Sequence, residues 1–188
     1  PENEIKFDIK KMNLVTIDIE VQSEQGFPTV EKCDEEMLLI SLQDFSTKRI
    51  LTFGVGPYRT QDKMVKYVEC NDEYDLLQHF VNYWSATPPD VVTGWNCQLY
   101  DIPYLAKRIT RVLGEKACKK LSPWGIVTHE EVYLQGRPHL IYDIAGVTVL
   151  DYLDLYKKFT YKAQESYRLD YIGEVELGSK KLDHSEYD

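Results

Sequence analysis

The stretch from Leu14 to Val21 constrains the fold most. Val15, Ile17, Ile19 and Val21 alternate with Thr16, Asp18 and Glu20, a period of two that a helix cannot use and a half-buried strand requires. One face of this strand is apolar and must meet a core. The other carries two carboxylates about 7 Å apart at Cα, the spacing of alternate strand residues. Two acids on one rigid strand repel each other unless a cation stands between them. Hard cations such as Mg²⁺ or Mn²⁺ take oxygen ligands, so the pair is a candidate metal platform. The same pattern also fits a strand with one wetted polar face.

The rest of the chain builds around that strand. Met37 to Asp44 and Arg49 to Phe53 read as strands joined by a turn at Ser46-Thr47-Lys48, and so as antiparallel neighbours. Lys63 to Glu69 adds an edge strand. Asn71 is the expected N-cap of a helix from Asp72 to about Ser85 that buries Leu76, Leu77, Phe80, Val81 and Trp84, and Pro88-Pro89 ends that element. A short strand, Asp90 to Thr93, leads through Gly94–Gln98 to a helix from Asp101 to Leu113, stopped by Gly114. A hairpin is expected over Gly125 to Tyr133 and Leu140 to Asp143, turning at Gln135–Pro138. A strand over Val147 to Leu150, a helix over Asp151 to Phe159 and a weaker helix from Ser166 to about Gly173 complete the pattern. The order predicts an α/β fold, a mixed sheet flanked by helices, as in an RNase H-like core; several α/β folds share it.

Composition narrows the function. A net charge of −9 argues against a passive coat on a nucleic-acid backbone, which is normally basic. It leaves room for an enzyme whose acids hold cations. The 14 tyrosines supply rings for packing or for stacking on bases. Cys33, Cys70, Cys97 and Cys118 contain no Cys-x-x-Cys pair, which speaks against a zinc site or disulfide framework and for a reducing cytoplasm. His79, His129, His139 and His184 are too dispersed for a cluster. No apolar run reaches the roughly 20 residues that cross a bilayer, and Pro1 to Lys11 lacks a signal-peptide core. The chain does not open on Met, so a piece of a longer protein is expected. Nothing in the residues assigns an oligomeric state.

A second candidate segment is Thr93-Gly94-Trp95-Asn96-Cys97-Gln98-Leu99-Tyr100-Asp101, at the carboxyl end of a strand, where α/β folds place ligands. Asn96 offers an amide and Asp101 a carboxylate. Asp101 is equally a good N-cap, with Pro103 tolerated in the first turn. Trp95 and Tyr100 read as packing residues, although either could touch a ligand. Asp151 and Asp154 read as capping and surface residues, with a place near the site as the alternative, and Asp34-Glu35-Glu36 as a solvated loop.

These motifs carry a family resemblance. Thr16-Ile17-Asp18-Ile19-Glu20 resembles the Asp-x-Glu exonuclease motif of B-family DNA polymerases, and Asn96 with Tyr100-Asp101 resembles the second, Asn-x-x-x-(Phe/Tyr)-Asp. Leu150-Asp151-Tyr152-Leu153-Asp154-Leu155-Tyr156-Lys157-Lys158-Phe159, Leu169-Asp170-Tyr171-Ile172 and Lys181-Leu182 resemble the replicative polymerases of T-even-type bacteriophages. The likeness runs from about Phe7 to the end. It implies a 3′→5′ proofreading exonuclease acting on a single-stranded DNA 3′ end, joined to the remainder of a polymerase and working in a host bacterial cytoplasm, off the membrane. Such sites use two divalent ions, Mg²⁺ or Mn²⁺, about 4 Å apart. The resemblance implies that Asp18 bridges both ions, that Glu20 binds the ion activating water, and that Asp101 holds the other, largely through its water shell. It further implies that Asn96 contacts the terminal nucleotide, that Lys181 reaches the phosphate and that Phe27 stacks on unpaired bases. A solvated Lys181 and a Phe27 tucked into the core fit the residues as well.

The family's third motif, Tyr-x-x-x-Asp, is expected roughly twenty residues beyond Leu182 by the same resemblance. Tyr152-x-Asp154 and Tyr167-x-x-Asp170 have the wrong spacing, and Tyr187-Asp188 are adjacent. The expectation is therefore a single exonuclease-domain fragment, residues 1–188, truncated before that motif, with three of four acids and weak or no activity alone. Two other readings are a non-catalytic strand-guiding module of a polymerase and a free-standing nuclease of the same fold.

Overall fold

Leu14–Val21 (β1) lies inside a six-stranded sheet of order β4-β3-β2-β1-β5-β8 in the computed structural model, which describes residues 8–23, 26, 28–134 and 136–178. The other strands are Met37–Asp44 (β2), Ile50–Val55 (β3), Val65–Cys70 (β4), Val91–Gly94 (β5) and Thr148–Asp151 (β8). β2 runs antiparallel to both β1 and β3. The pairs β3–β4, β1–β5 and β5–β8 are parallel. This is the mixed α/β sheet expected of an RNase H-like fold, with β4 as its expected edge.

Local chemistry explains the connections. Asp44 holds the β2–β3 turn by accepting from the Thr47 amide at 2.5 Å and its hydroxyl at 2.6 Å, while Lys48 takes a left-handed φ of 60°. The chain crosses from β4 at one edge to β5 beyond β1 through α1, Glu73–Ala86, the kind of connection parallel strands need. Its buried residues include Leu76, Leu77, Phe80, Val81 and Trp84, the five apolar residues expected. Its N-cap is Asp72 rather than Asn71: the Asp72 carboxylate accepts from the Asp75 amide at 2.8 Å, and Asp75 in turn accepts from the backbone and side chain of Asn71. Asn71 thus serves one position outside the helix, in a reciprocal arrangement akin to a capping box.

The second helix, α2, spans Asp101–Leu113 and ends at Gly114 as expected, followed by a short helical turn α3, Glu115–Cys118, that the sequence reading missed. α1 and α2 pack on the sheet, α1 over β2, β3 and β4 and α2 against β1. Ile17, Ile19, Met37, Ile40, Phe80, Trp84, Tyr104 and Ile109 are among the buried side chains of the core cluster. The Trp84 indole donates to the Leu121 carbonyl at 2.8 Å, so its one polar atom is paired inside that core.

The hairpin Val127–Leu134 (β6) and Arg137–Ile144 (β7) forms its own two-stranded sheet. Arg137 and Pro138, expected in its turn, belong to β7, with Pro138 opposite Tyr133. A two-stranded sheet has two open edges, where a missing N–H is tolerated. α4, Tyr152–Phe159, follows β8. α5 spans Leu169–Leu177, later than expected: Gly173 stays inside it, and Gly178, at a left-handed φ of 65°, ends it. Among the described residues no helix is long and apolar enough to cross a membrane.

Candidate active site

The site begins where β5 leaves β1. The two strands pair only over Leu14–Thr16 and Val91–Thr93, so β1 continues past its neighbour with an open edge. Gly94 makes the departure possible. A Cβ there would lie 2.7 Å from the Ile17 carbonyl oxygen and 2.9 Å from Cys97 Cβ, and a backbone carbonyl cannot move aside cheaply. Gly94→Ala is expected to destabilise the fold by about 1–3 kcal/mol, the usual cost of overpacking, measurable by urea unfolding.

The freed edge is occupied by Asp101. Its Oδ1 accepts from the Ile19 amide at 3.2 Å, and the residue is buried, 6% exposed. The N-cap expectation for Asp101 is therefore corrected. Tyr100 holds the cap position, without a side-chain cap bond, and Asp101 is the first helical residue. Its carboxylate leaves its own helix end for the strand that carries Asp18 and Glu20, because β1 presents an unpaired buried N–H that must be satisfied. Asp18 and Glu20 flank Ile19 and are both exposed. Asp101, from a segment far away in sequence, thus docks on the strand that carries Asp18 and Glu20, near enough to Asp18 to feel its charge.

The electrostatics of Asp101 are strained. Burial, and then the Asp18 charge, push the Asp101 carboxyl from the ordinary 3.8 up to about 7, against hydrogen bonds from its own amide and from Ile19. A carboxyl raised in this way is still protonated in the folded state at pH values where the unfolded chain has released the proton. Without divalent cations, folding stability is therefore greatest below about pH 4 as far as this group is concerned, and falls as pH rises through about 7. Asp101→Asn is expected to remove that slope. Urea unfolding in chelator at about pH 5 and about pH 8 checks it: the wild type loses stability relative to the variant at the higher pH.

Asn96 stands on the same side of the fold, in the loop between β5 and α2, with a left-handed φ of 64°, a region asparagine tolerates better than most residues. Its carbonyl accepts from the amides of Leu99 and Tyr100, and the Cys97 carbonyl accepts from Ile102, so the loop feeds directly into α2. Trp95 is a packing residue: its indole donates to the Tyr167 carbonyl at 3.0 Å, and its ring lies 6.0 Å from Tyr152 and 5.7 Å from Tyr156. Lys181 and Phe27 lie outside the described residues.

Asp151 is the residue that sequence reasoning undervalued. It is the N-cap of α4, as read, accepting from the Leu153 amide at 2.9 Å. It also accepts from the amides of Asn96 at 3.0 Å and Gln98 at 2.9 Å. The cap was legible from the apolar run that follows; the contact across more than fifty residues had no local signal.

The donor set has the chemistry of a hard-cation site: carboxylates, with no thiolate or imidazole among them. Among the described residues no three or more acidic, histidine or cysteine side chains are grouped so as to hold a metal ion. Asp18 and Asp101 are close enough that the charge of one raises the other, an arrangement that a bound cation relieves.

Known sequences place the chain. The profile described as DNA polymerase family B, exonuclease domain, matches residues 1–172. A DNA-directed DNA polymerase of Escherichia phage RB69 is 33% identical over 95% of the chain, and that of Enterobacteria phage T4 is 30% identical over 96%. The chain spans 23% of the length of each. A DNA polymerase catalytic subunit of Psittacid herpesvirus 1 is 26% identical over 92% of the chain. With an RNase H-like sheet, an Asp-x-Glu strand and Asp101 docked on it, the chain belongs to DNA polymerase family B, as its exonuclease domain.

Proposed function

We propose that this domain is the 3′→5′ proofreading exonuclease of a phage-type DNA polymerase, hydrolysing the 3′-terminal phosphodiester of a single-stranded DNA end. The observation that carries this reading is the docking of Asp101 on the Ile19 amide, between Asp18 and Glu20. It ties the acid of the second motif to the strand that carries those of the first, which supports a shared site. Asp18, Glu20 and Asp101 would hold Mg²⁺ or Mn²⁺. Bound there, two such ions supply an activated water and neutralise charge on the departing 3′ oxygen.

The chain's own residues do the rest. β1 fixes Asp18 and Glu20 on its solvent face, open to a strand end. Asp101, tied to β1, keeps its carboxylate at the site even when free of cations. Asn96 contacts the terminal nucleotide. Lys181 and Phe27 are assigned to the phosphate and to stacking on unpaired bases, following the family resemblance. Stacking contributes roughly 1–3 kcal/mol per base and ignores sequence, as removal of any mispaired nucleotide requires. The rest of a polymerase is the proposed partner, and a host bacterial cytoplasm the proposed location.

The family's fourth acid is expected beyond Leu182, so residues 1–188 by themselves should hold cations weakly and digest DNA slowly. Digestion of single-stranded DNA by the 188-residue chain and by the complete natural protein tests this. Activity confined to the complete protein supports a site shared with residues beyond these. Normal Mg²⁺-dependent digestion by the 188 residues alone, abolished by Asp18→Ala, contradicts it. No digestion by either favours a non-catalytic module.

A further inference from the structure

We infer that Asp151 is a positioning residue of the exonuclease site, holding the Asn96–Gln98 loop in the shape that presents Asn96 to the DNA end and starts α2 at Asp101. This rests on the exonuclease reading above. Asp151 is 5% exposed, at the end of β8, where it pairs with Gly94 of β5. A helix cap needs one acceptor oxygen. Asp151 uses both: Oδ1 accepts from Leu153 and from Asn96, and Oδ2 accepts from Gln98. Two of its three bonds therefore serve a loop distant in sequence rather than its own helix. The neighbouring Thr93 hydroxyl donates to the Leu150 carbonyl at 2.6 Å, fastening the same loop's entry to β8.

The loop needs this hold. Asn96 sits in the left-handed region, which costs a non-glycine residue energy and persists only when its surroundings fix it. A carboxylate accepting two loop amides is such a restraint. From Asn96 and Cys97, backbone bonds run to Leu99, Tyr100 and Ile102. A displaced loop therefore shifts both the Asn96 amide and the turn that aims Asp101 at β1. A second buried acid near Asp101 is tolerated because it is saturated with N–H donors.

Two substitutions separate capping from loop control. Asp151→Asn retains one oxygen and sets an amide against a loop N–H. Asp151→Ser retains a capping hydroxyl for α4 but is too short to serve both loop amides. In the complete natural protein, binding of labelled oligothymidylate is measured without divalent ions, and its digestion with Mg²⁺. Each variant, and Asn96→Ala, is expected to bind about tenfold more weakly, the loss expected for one charge-assisted or nucleotide contact. The double variant Asn96→Ala with Asp151→Ser is expected to bind no more weakly than Asn96→Ala, because the same contact is lost once. Losses that multiply, or Asp151 variants that bind like wild type, overturn the inference. So does an Asn96→Ala variant that binds like wild type. If the Asp151 variants do not fold, amide exchange in the unmutated protein decides. Asn96 and Gln98 amides protected like those of the sheet support the inference, and fast exchange overturns it. Wild-type protein that neither binds nor digests the oligonucleotide removes the exonuclease reading itself, and this inference with it; digestion that is lost in Asp18→Ala but untouched in the Asp151 variants removes only the inference.

Discussion

Asp18→Ala, made in the complete natural protein, is expected to slow release of 3′-terminal nucleotides by on the order of a thousandfold or more, equivalent to several kcal/mol of transition-state stabilisation by bound cations. Asp18 is the acid that both faces solvent on β1 and interacts with Asp101, so under the proposed function its removal takes away a cation ligand. The fold should survive. The side chain is exposed, and its charge raises Asp101, so the variant should unfold no more easily than wild type in chelator at neutral pH. Steady-state digestion of a labelled single strand, paired with urea unfolding, separates the two effects. Loss of activity together with loss of fold would make Asp18 a structural residue instead.

Arg108→Ala should have the largest effect on stability, about 3–5 kcal/mol, the usual penalty for removing one partner of a buried ion pair. Arg108 and Glu73 are both buried, 5% and 6% exposed, and meet through two guanidinium contacts, one of them Nε to Oε1 at 2.7 Å. Glu73 also accepts from the Met37 amide at 2.9 Å, and Arg108 donates to the carbonyls of Cys33 and Asp34. The pair therefore ties the start of α1, the middle of α2, the first residue of β2 and the loop before it. Removing the arginine leaves a buried carboxylate with one backbone donor. Against a typical net stability of about 5–15 kcal/mol, part of the population should unfold at physiological temperature. Replacing both residues by apolar ones of similar volume, Arg108→Met with Glu73→Leu, should recover much of the loss. Because α2 carries Asp101, the single variant should also weaken digestion. Urea unfolding of the single and double variants checks the order.

This ion pair was invisible in the sequence. Glu73 and Arg108 lie on different helices, and nothing local distinguishes them from surface charges. What was legible followed from periodicity. β1 and β2 run as read, Leu14–Val21 and Met37–Asp44, since alternation with a buried face fixes both. α2 was legible at both ends, with Gly114 at its close. Misjudged details came from tertiary partners overriding local preference. Asp101 carries the composition of a cap, yet serves an orphan amide on β1. Gly173 resembles a stop, yet α5 continues to Leu177. The acidic run at Asp34-Glu35-Glu36 does face solvent in part, but its backbone is pinned from below. Tyr104 donates its hydroxyl to the Glu35 carbonyl at 2.9 Å, beside the Arg108 contacts. The candidate acids were legible as types and spacings, and the docking of Asp101 on Ile19 required the fold.

The most direct measurement is digestion of a 5′-labelled single-stranded DNA by the complete natural protein, with Mg²⁺ or with chelator, and with identification of the released product. A ladder shortening from the 3′ end, release of nucleoside monophosphates and full suppression by chelator are expected. A labelled strand left intact in Mg²⁺, or one shortened from its 5′ end, would contradict an exonuclease site built on Asp18, Glu20 and Asp101.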